Sequence, residues 1–419
     1  MIIAMNPNII TTIKTDQMRH SGYRIWFIVS MFDLFAAAII GVLLRAMYFV
    51  EVPFVTFRPW LHGHSHTALL GWLFIGTVVC LLHDGGLGRF TPRMRWLLIG
   101  LQAAVVCMLI GFPLWSYNVI TITGSSIHMV LAFMALATLW HVSRSWPKQG
   151  SGMLTRAAVV MFILSTLGVL AIGPIIATGN QGKEIYYWAV QFFLHFQFNG
   201  WFWFAAMALG ARWAERQGFA LQIDRLTMGL WIVSAVLTYA LAIAWSEPLP
   251  AVFATVAVAV ALQVWAAWRT FGILRRMHNV AYERIPRAAR ILIGVALVSM
   301  AMKVLVQASV AIPSVAIMAL TIRHFVMGFV HMNTLGVMTM LLCSYAILSG
   351  WFDLKRGSIR WGLGFLVAGI ITSELLLFVQ GSFFWIGLGM IPGHYVHLFA
   401  ASLLMPMGVV LLLIGSLKK

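Results

Sequence analysis

The stretch RPWLHGHSHTALLGWLF, from Arg58 to Phe74, begins with histidines and leads into an apolar run that ends near residue 83. Eleven other apolar segments flank it, each close to the roughly 20 residues that a helix needs to cross a bilayer. They fall at about 24–48, 96–115, 121–142, 155–177, 186–211, 226–245, 250–268, 291–310, 324–348, 361–380 and 392–416. Because open sheets cannot span lipid, this pattern predicts an all-α, polytopic membrane protein with about twelve transmembrane helices.

The composition favours a membrane protein over a soluble one. Of the 419 residues, 61% are hydrophobic and 9% are charged, and no soluble core needs so much apolar sequence. We predict an N-terminal tail at 1–23, one membrane domain at 24–416 and a short C-terminal end at 417–419. The formal net charge of +17 does not indicate a nucleic-acid partner, because the positive residues lie between apolar runs. The lipid bilayer is the expected partner.

The connections between the apolar segments alternate in charge. The N-terminal tail and every second connection are basic, and the richest connection follows the eighth segment. It carries Arg269, Arg275, Arg276, Arg284, Arg287 and Arg290. The other connections hold only Arg58, Lys183 and Arg323 as cations. Since cytoplasmic loops are enriched in Lys and Arg, we predict that both termini face the cytoplasm of a bacterial inner membrane.

Nine of the 13 histidines lie on one side of the membrane in this topology. They occupy the even-numbered segments, which run inward from the periplasm. These histidines are His62, His64, His66, His128, His195, His324, His331, His394 and His397. A single histidine in a membrane helix usually makes a helix-to-helix hydrogen bond, but nine in one layer favour a shared cofactor or ion layer. Neutral imidazole suits heme iron, copper and zinc.

The spacing of the second-segment histidines assigns them to faces, since each helical residue advances by about 100°. His62 and His66 share a face, whereas His64 points nearly opposite. One helix can therefore serve two separate sites.

The later histidines are spaced differently. His324 and His331 share a face but lie about 10 Å apart along the helix axis, which is too far for one metal ion. His394 and His397 share a face and are placed to act together.

Other polar groups in or beside the apolar segments have candidate roles. Arg45 and Arg58 are candidate anchors for an anion such as a heme propionate, although snorkelling explains Arg45 more simply. Lys303 and Glu374 are a candidate ion pair or proton relay. The sixth segment surrounds His195 with aromatic residues, which suits a porphyrin slot, while an interfacial aromatic belt accounts for its outer end.

The helix count and the histidines on segments two, six and ten resemble the catalytic subunit of heme-copper oxidases and nitric oxide reductases. In the stretch quoted above, His66 with Thr67 matches the histidine of that family's second helix that ligates the low-spin heme. His195 is similar to the family's first copper ligand, and His331 lies on the helix that carries heme ligands.

The chain departs from that family at three points. The seventh segment lacks the neighbouring histidine pair that binds copper, and the tenth has His324 and His331 where the family has His-x-His. The tyrosine cross-linked to a copper ligand has no clear counterpart. His128, His394 and His397 are additional, so a three-histidine copper centre is not carried over.

A partial resemblance to NnrS-type heme- and copper-containing membrane proteins rests on His64 with His66, and on HMNTLGVMTM, which starts at His331. The two resemblances imply heme and copper as cofactors, and a cytochrome or other electron-donor subunit as a partner. The heme is expected to be b-type and non-covalent, because the chain has no CxxCH motif.

These observations yield two sets of candidate ligands. The heme candidates are His64, His66, His324 and His331. The candidates for copper or a second heme are His128, His195, His394 and His397. The expected function is that of a divergent oxidase or nitric oxide reductase-like heme protein handling oxygen or nitric oxide near the periplasmic face. An NnrS-type non-respiratory protein of the nitric oxide response and a metal- or proton-coupled secondary transporter are the alternatives.

The topology is tested by reporter fusions. Fusions after Trp115 or Glu247 are expected to report a periplasmic location, and fusions after Arg95 or Arg276 a cytoplasmic one, because the basic connections stay inside. One clear reversal would contradict the one-sided layer of histidines.

Overall fold

A computed structural model describes residues 7–85, 90–219, 222–281 and 285–417, with the backbone alone described for 7–21 and 276–281. Arg284 lies outside the described residues, and so does the side chain of Arg276. Every regular element among the described residues is a helix, which confirms the all-α fold.

The described residues form twelve long helices, which we number in chain order. They are α1 (Pro7–Ala46), α2 (Phe57–Asp84), α3 (Pro92–Trp115), α4 (Val119–Ser143), α5 (Ser151–Ala177), α6 (184–216), α7 (Arg225–Ile243), α8 (Pro250–Ala281), α9 (Arg287–Ser309), α10 (Arg323–Leu348), α11 (Gly357–Trp385) and α12 (His394–Leu417). A short helix, Pro313–Thr321, precedes α10.

Eleven spans within the described residues are long and apolar enough to cross a membrane, which confirms a multi-pass membrane protein. They comprise all the numbered helices except α6, and the span in α1 covers Gly22–Ala46. Helix α6 carries tyrosines, tryptophans and amides among its apolar residues, so it is less apolar than its neighbours. Helix α2 is the most buried span, at 72% of its most apolar window against 28% for α8 and α9. The histidine-rich helix therefore has little surface left for lipid.

The chain divides into two compact units within the predicted membrane domain. Unit 1 comprises 1–142, 345–370 and 395–419, and unit 2 comprises 143–344 and 371–394. Helices α10 and α11 each contribute residues to both units.

Close helix packing in both units relies on glycine, as expected where small residues let membrane helices approach. In unit 2, a Cβ atom on Gly168 of α5 would lie 2.4 Å from the Ala189 carbonyl oxygen of α6. In unit 1, a Cβ atom on Gly408 of α12 would lie 2.7 Å from the Leu366 backbone nitrogen of α11. Neither position has room for a side chain.

The contact between α5 and α6 is tested by Gly168→Ala, with Gly173→Ala on the same helix as the matched control. Gly168→Ala is expected to destabilise the protein by about 1–3 kcal/mol, because the added methyl group meets backbone atoms that cannot give way. Gly173→Ala is expected to be neutral, since nothing lies within 4 Å of its Cβ position. Thermal unfolding in detergent measures both, and equal shifts would contradict this packing.

Candidate functional site

His66 of α2 is held by its own helix within unit 1. Its Nδ1 atom donates to the His62 carbonyl oxygen at 2.9 Å. Its ring packs on Phe112 of α3, with centroids 4.4 Å apart. A neutral imidazole that donates from Nδ1 carries its lone pair on Nε2, which is the arrangement that metal-ligating histidines use.

His64 turns to a different helix, as the helical spacing predicted. Its Nδ1 atom donates to the Ala37 carbonyl oxygen of α1 at 2.8 Å. A Cβ atom on Gly41 of α1 would lie 3.1 Å from the Cε1 atom of His64, so the imidazole packs closely against a residue that has no side chain. His62 contacts Tyr117, whose hydroxyl lies 3.4 Å from Nδ1.

His128 of α4 is buried beside the middle of α2. It is 2% exposed, and its ring lies 5.5 Å from the ring of Phe74. It hydrogen-bonds the backbone of Leu70, while its Nε2 atom is buried and has no hydrogen-bond partner. An unsatisfied buried nitrogen costs about 1–3 kcal/mol. A ligand that bonds to Nε2 would remove this cost.

The two candidate propionate anchors in unit 1 differ in their surroundings. Arg45 of α1 donates to the Ser402 hydroxyl and to the Leu398 carbonyl oxygen of α12. Arg58 is exposed at the start of α2, and His397 is exposed on α12. The anchoring role of either arginine stays a prediction.

In unit 2, His195 of α6 has both ring nitrogens hydrogen-bonded. Nε2 donates to the Ala235 carbonyl oxygen at 2.8 Å, and Nδ1 accepts from the Asn199 side chain at 3.2 Å. The network continues through Gln307 Nε2 to Asn199 Oδ1 at 2.9 Å, and through Gln263 Nε2 to Gln307 Oε1 at 3.0 Å. In this arrangement His195 has no lone pair left for copper, and its assignment as a copper ligand stays a prediction.

The two candidate relay residues of unit 2 take different neighbours. Lys303 of α9 is 1% exposed, and its Nζ atom lies 3.9 Å from the ring centroid of Trp203, with no hydrogen-bond partner. A Glu374 carboxylate oxygen of α11 lies 3.8 Å from His331 Nδ1 of α10. This distance is longer than a hydrogen bond, so the carboxylate lies near the ring without the short contact that fixes the tautomer of a metal-ligating histidine.

His324 of α10 meets the histidine that begins α12. The ring centroids of His324 and His394 lie 5.2 Å apart, and Phe384 lies 5.3 Å from His324. The sequence spacing had paired His394 with His397 on α12, and it had separated His324 from His331 by about 10 Å along α10.

Three π-helical segments accompany the candidate histidines. One covers Thr67–Ile75, directly after His66, and another covers Met332–Thr339, directly after His331. The third covers Gln197–Trp201, close behind His195. Such segments are rare and concentrate at functional sites. No sequence pattern predicted these π-helical segments. The small and polar residues that follow each histidine are the only feature of the sequence that indicates them.

The described residues contain no group of three or more His, Cys, Asp or Glu side chains placed to hold a metal ion. No protein-family model and no characterised protein sequence matches the chain. A solved structure does: a heme-copper terminal oxidase dimer determined by cryo-EM is similar over 95% of this chain and 84% of that one. The TM-score is 0.66 and the sequence identity is 11%.

The chain has an oxidase-like fold. At this identity the similarity extends to the path of the helices and not to individual ligands, so each candidate residue depends on its own geometry. The fold agrees with the sequence resemblance stated above.

The polar network of unit 2 is tested by a double-mutant cycle between Gln263 and Gln307. The two single changes to Ala and the double change are expected to show a coupling of about 0.5–1.5 kcal/mol, because the two amides bond each other inside the membrane. Unfolding in mixed micelles gives the free energies. A cycle between Gln263 and the exposed Gln191 is the control, and coupling of the same size there would contradict the network.

Proposed function

We propose that the protein is an oxidase-like membrane heme protein that handles oxygen or nitric oxide near the periplasmic face of a bacterial inner membrane. The observation that carries this proposal is His66. It directly precedes a π-helical segment, its Nδ1 atom donates to the His62 carbonyl oxygen, and it lies in a fold similar to that of a heme-copper oxidase.

The surroundings of His66 in unit 1 are aromatic. The ring of Phe112 lies 4.4 Å from the ring of His66, and the ring of Tyr117 meets Phe112 edge-on with centroids 5.0 Å apart. Aromatic side chains are typical of cofactor pockets. The unsatisfied Nε2 atom of His128 is a second nitrogen on the same side of the predicted membrane. A bound heme would supply an iron centre that binds diatomic molecules and exchanges electrons.

The residues around α2 prepare this site in two ways. The His62 carbonyl fixes the tautomer and ring orientation of His66, so the ligand loses little entropy on binding. The hydrogen bond to the Ala37 carbonyl oxygen holds His64 toward α1, on a different face of α2 from His66. In unit 2, we propose His331 as a separate heme ligand. A carboxylate oxygen of Glu374 lies 3.8 Å from its Nδ1 atom.

We further propose that the heme is b-type and non-covalent, and that a cytochrome or another electron-donor subunit reduces it. Turnover with oxygen or with nitric oxide would distinguish a respiratory enzyme from a non-respiratory heme protein. A preparation without heme bands from heme-replete cells would contradict the proposal and favour a transporter.

The assignment of His66 is tested by reduced-minus-oxidised spectra of three variants. His66→Ala is expected to remove most of the absorbance of one heme, because the iron loses a strong-field ligand while the helix still inserts. His64→Ala is expected to have a smaller effect, and His62→Ala, one turn further out beside Tyr117, the smallest. Equal and small effects from all three would mean that the cluster is interfacial polar sequence only.

A further inference from the structure

A buried carboxyl group near the middle of α1 has no role in the proposed heme site. Asp33 is 3% exposed, and it lies close to the centre of the Gly22–Ala46 span. Its Oδ1 atom accepts from the Gln102 Nε2 atom of α3 at 2.7 Å. Its Oδ2 atom is buried and has no hydrogen-bond partner among the described residues. An ionised carboxylate at this depth is costly unless a positive charge balances it, so the group requires either a proton or a cation.

Two other side-chain oxygens of unit 1 share the condition of Asp33 Oδ2. The Oε1 atom of Gln102 and the Oγ1 atom of Thr67 are buried, and neither has a hydrogen-bond partner in the described part of the chain. The Gln102 amide already bonds Asp33 through its Nε2 atom. Its Oε1 atom therefore lies within about 5 Å of the Asp33 carboxylate by covalent geometry alone. Each of these oxygens can accept a hydrogen bond or bind a cation.

Thr67 belongs to the face of α2 that meets α1. His64 contacts α1 on this face through the Ala37 carbonyl oxygen. Gly71 contacts α1 on the same face, since a Cβ atom there would lie 2.7 Å from Asp33 Oδ2. At about 100° per residue, Thr67 falls on this face between His64 and Gly71. The fully buried threonine is therefore placed about one helical turn from the point where the carboxylate packs on α2.

We propose that Asp33, Gln102 and Thr67 bind one Na⁺ ion. All three donors are oxygens, which hard cations prefer, and two oxygens held at about 2.3–2.6 Å by an ion of the size of Ca²⁺ or Na⁺ lie at most about 5 Å apart. The single carboxylate neutralises one charge, so a monovalent ion suits these apolar surroundings better than a divalent one.

The backbone of α2 at this position also suits Na⁺. The π-helical segment Thr67–Ile75 contains the glycine on which the Asp33 carboxylate packs. Membrane proteins use carbonyl oxygens of irregular helices, together with side chains, to coordinate Na⁺. The Na⁺ site lies among α1, α2 and α3 within unit 1 and does not depend on the heme at His66.

The site is tested by thermal unfolding of the purified full-length protein in detergent, with NaCl replaced stepwise by choline chloride at constant ionic strength. The unfolding temperature of the wild type is expected to rise with Na⁺, because the ion binds the folded state. Asp33→Asn keeps the size of the side chain and removes its charge, so it is expected to abolish this rise. Thr67→Val is expected to increase the Na⁺ concentration at half-effect by about tenfold, because one oxygen contact to the ion is lost.

Thr77→Val is the matched control for Thr67→Val. Thr77 lies on the same helix, is also fully buried and has a hydroxyl without a hydrogen-bond partner among the described residues. It lies ten positions further along the chain, too far to reach the carboxylate. Thr77→Val is therefore expected to respond to Na⁺ as the wild type does.

Labelling of Asp33 by dicyclohexylcarbodiimide, read by mass spectrometry, gives a second measurement that needs no variant. This apolar reagent attacks a carboxyl group that carries a proton, so Na⁺ is expected to suppress the labelling and choline is not. Gel filtration monitors the folding of each variant. Equal unfolding temperatures of the wild type in Na⁺ and choline, or labelling that is the same in both salts, would overturn the proposal and assign a proton to Asp33, whether or not heme is bound.

Discussion

No water in the hydrocarbon core satisfies a backbone N–H or C=O group, so each transmembrane segment must satisfy its own. An α-helix does this with i→i−4 bonds, and a π-helical turn exchanges them for i→i−5 bonds. In the segment Met332–Thr339 of α10, side chains assist with this exchange. Asn333 donates to the Phe329 carbonyl oxygen at 2.7 Å, and Thr339 donates to the Thr334 carbonyl oxygen at 2.9 Å. The polar residues at and after Asn333 therefore give two backbone carbonyl oxygens of this region a side-chain partner.

The π-helical segment of α2 must also satisfy its own backbone groups, and its packing against α1 requires the small residue Gly71. A Cβ atom on Gly71 would lie 2.6 Å from the Asp33 carboxyl carbon of α1. Gln102 of α3 donates to that carboxylate at 2.7 Å. The widened turn after His66 thus packs against a buried acid with one amide partner. This packing connects the helix that carries His64 and His66 to α1 and α3 within unit 1.

Hydropathy predicts most of the fold because the bilayer sets the length of each segment. The apolar segments at 96–115 and 121–142 coincide closely with α3 and α4. The faces of His64 and His66 followed from helical geometry alone. In contrast, the pairing of His324 with His394 depends on which helices are neighbours, and no local pattern encodes this. For the same reason, the sequence did not indicate that Lys303 lies beside Trp203 and Glu374 beside His331.

Cryo-EM density of the protein purified from heme-replete cells shows directly whether His66 ligates a heme. We expect porphyrin density whose iron lies within bonding distance of His66 Nε2, with Nδ1 still facing the His62 carbonyl oxygen. A map that resolves the His66 side chain against protein or lipid, with no porphyrin beside it, would mean that His66 is not a heme ligand.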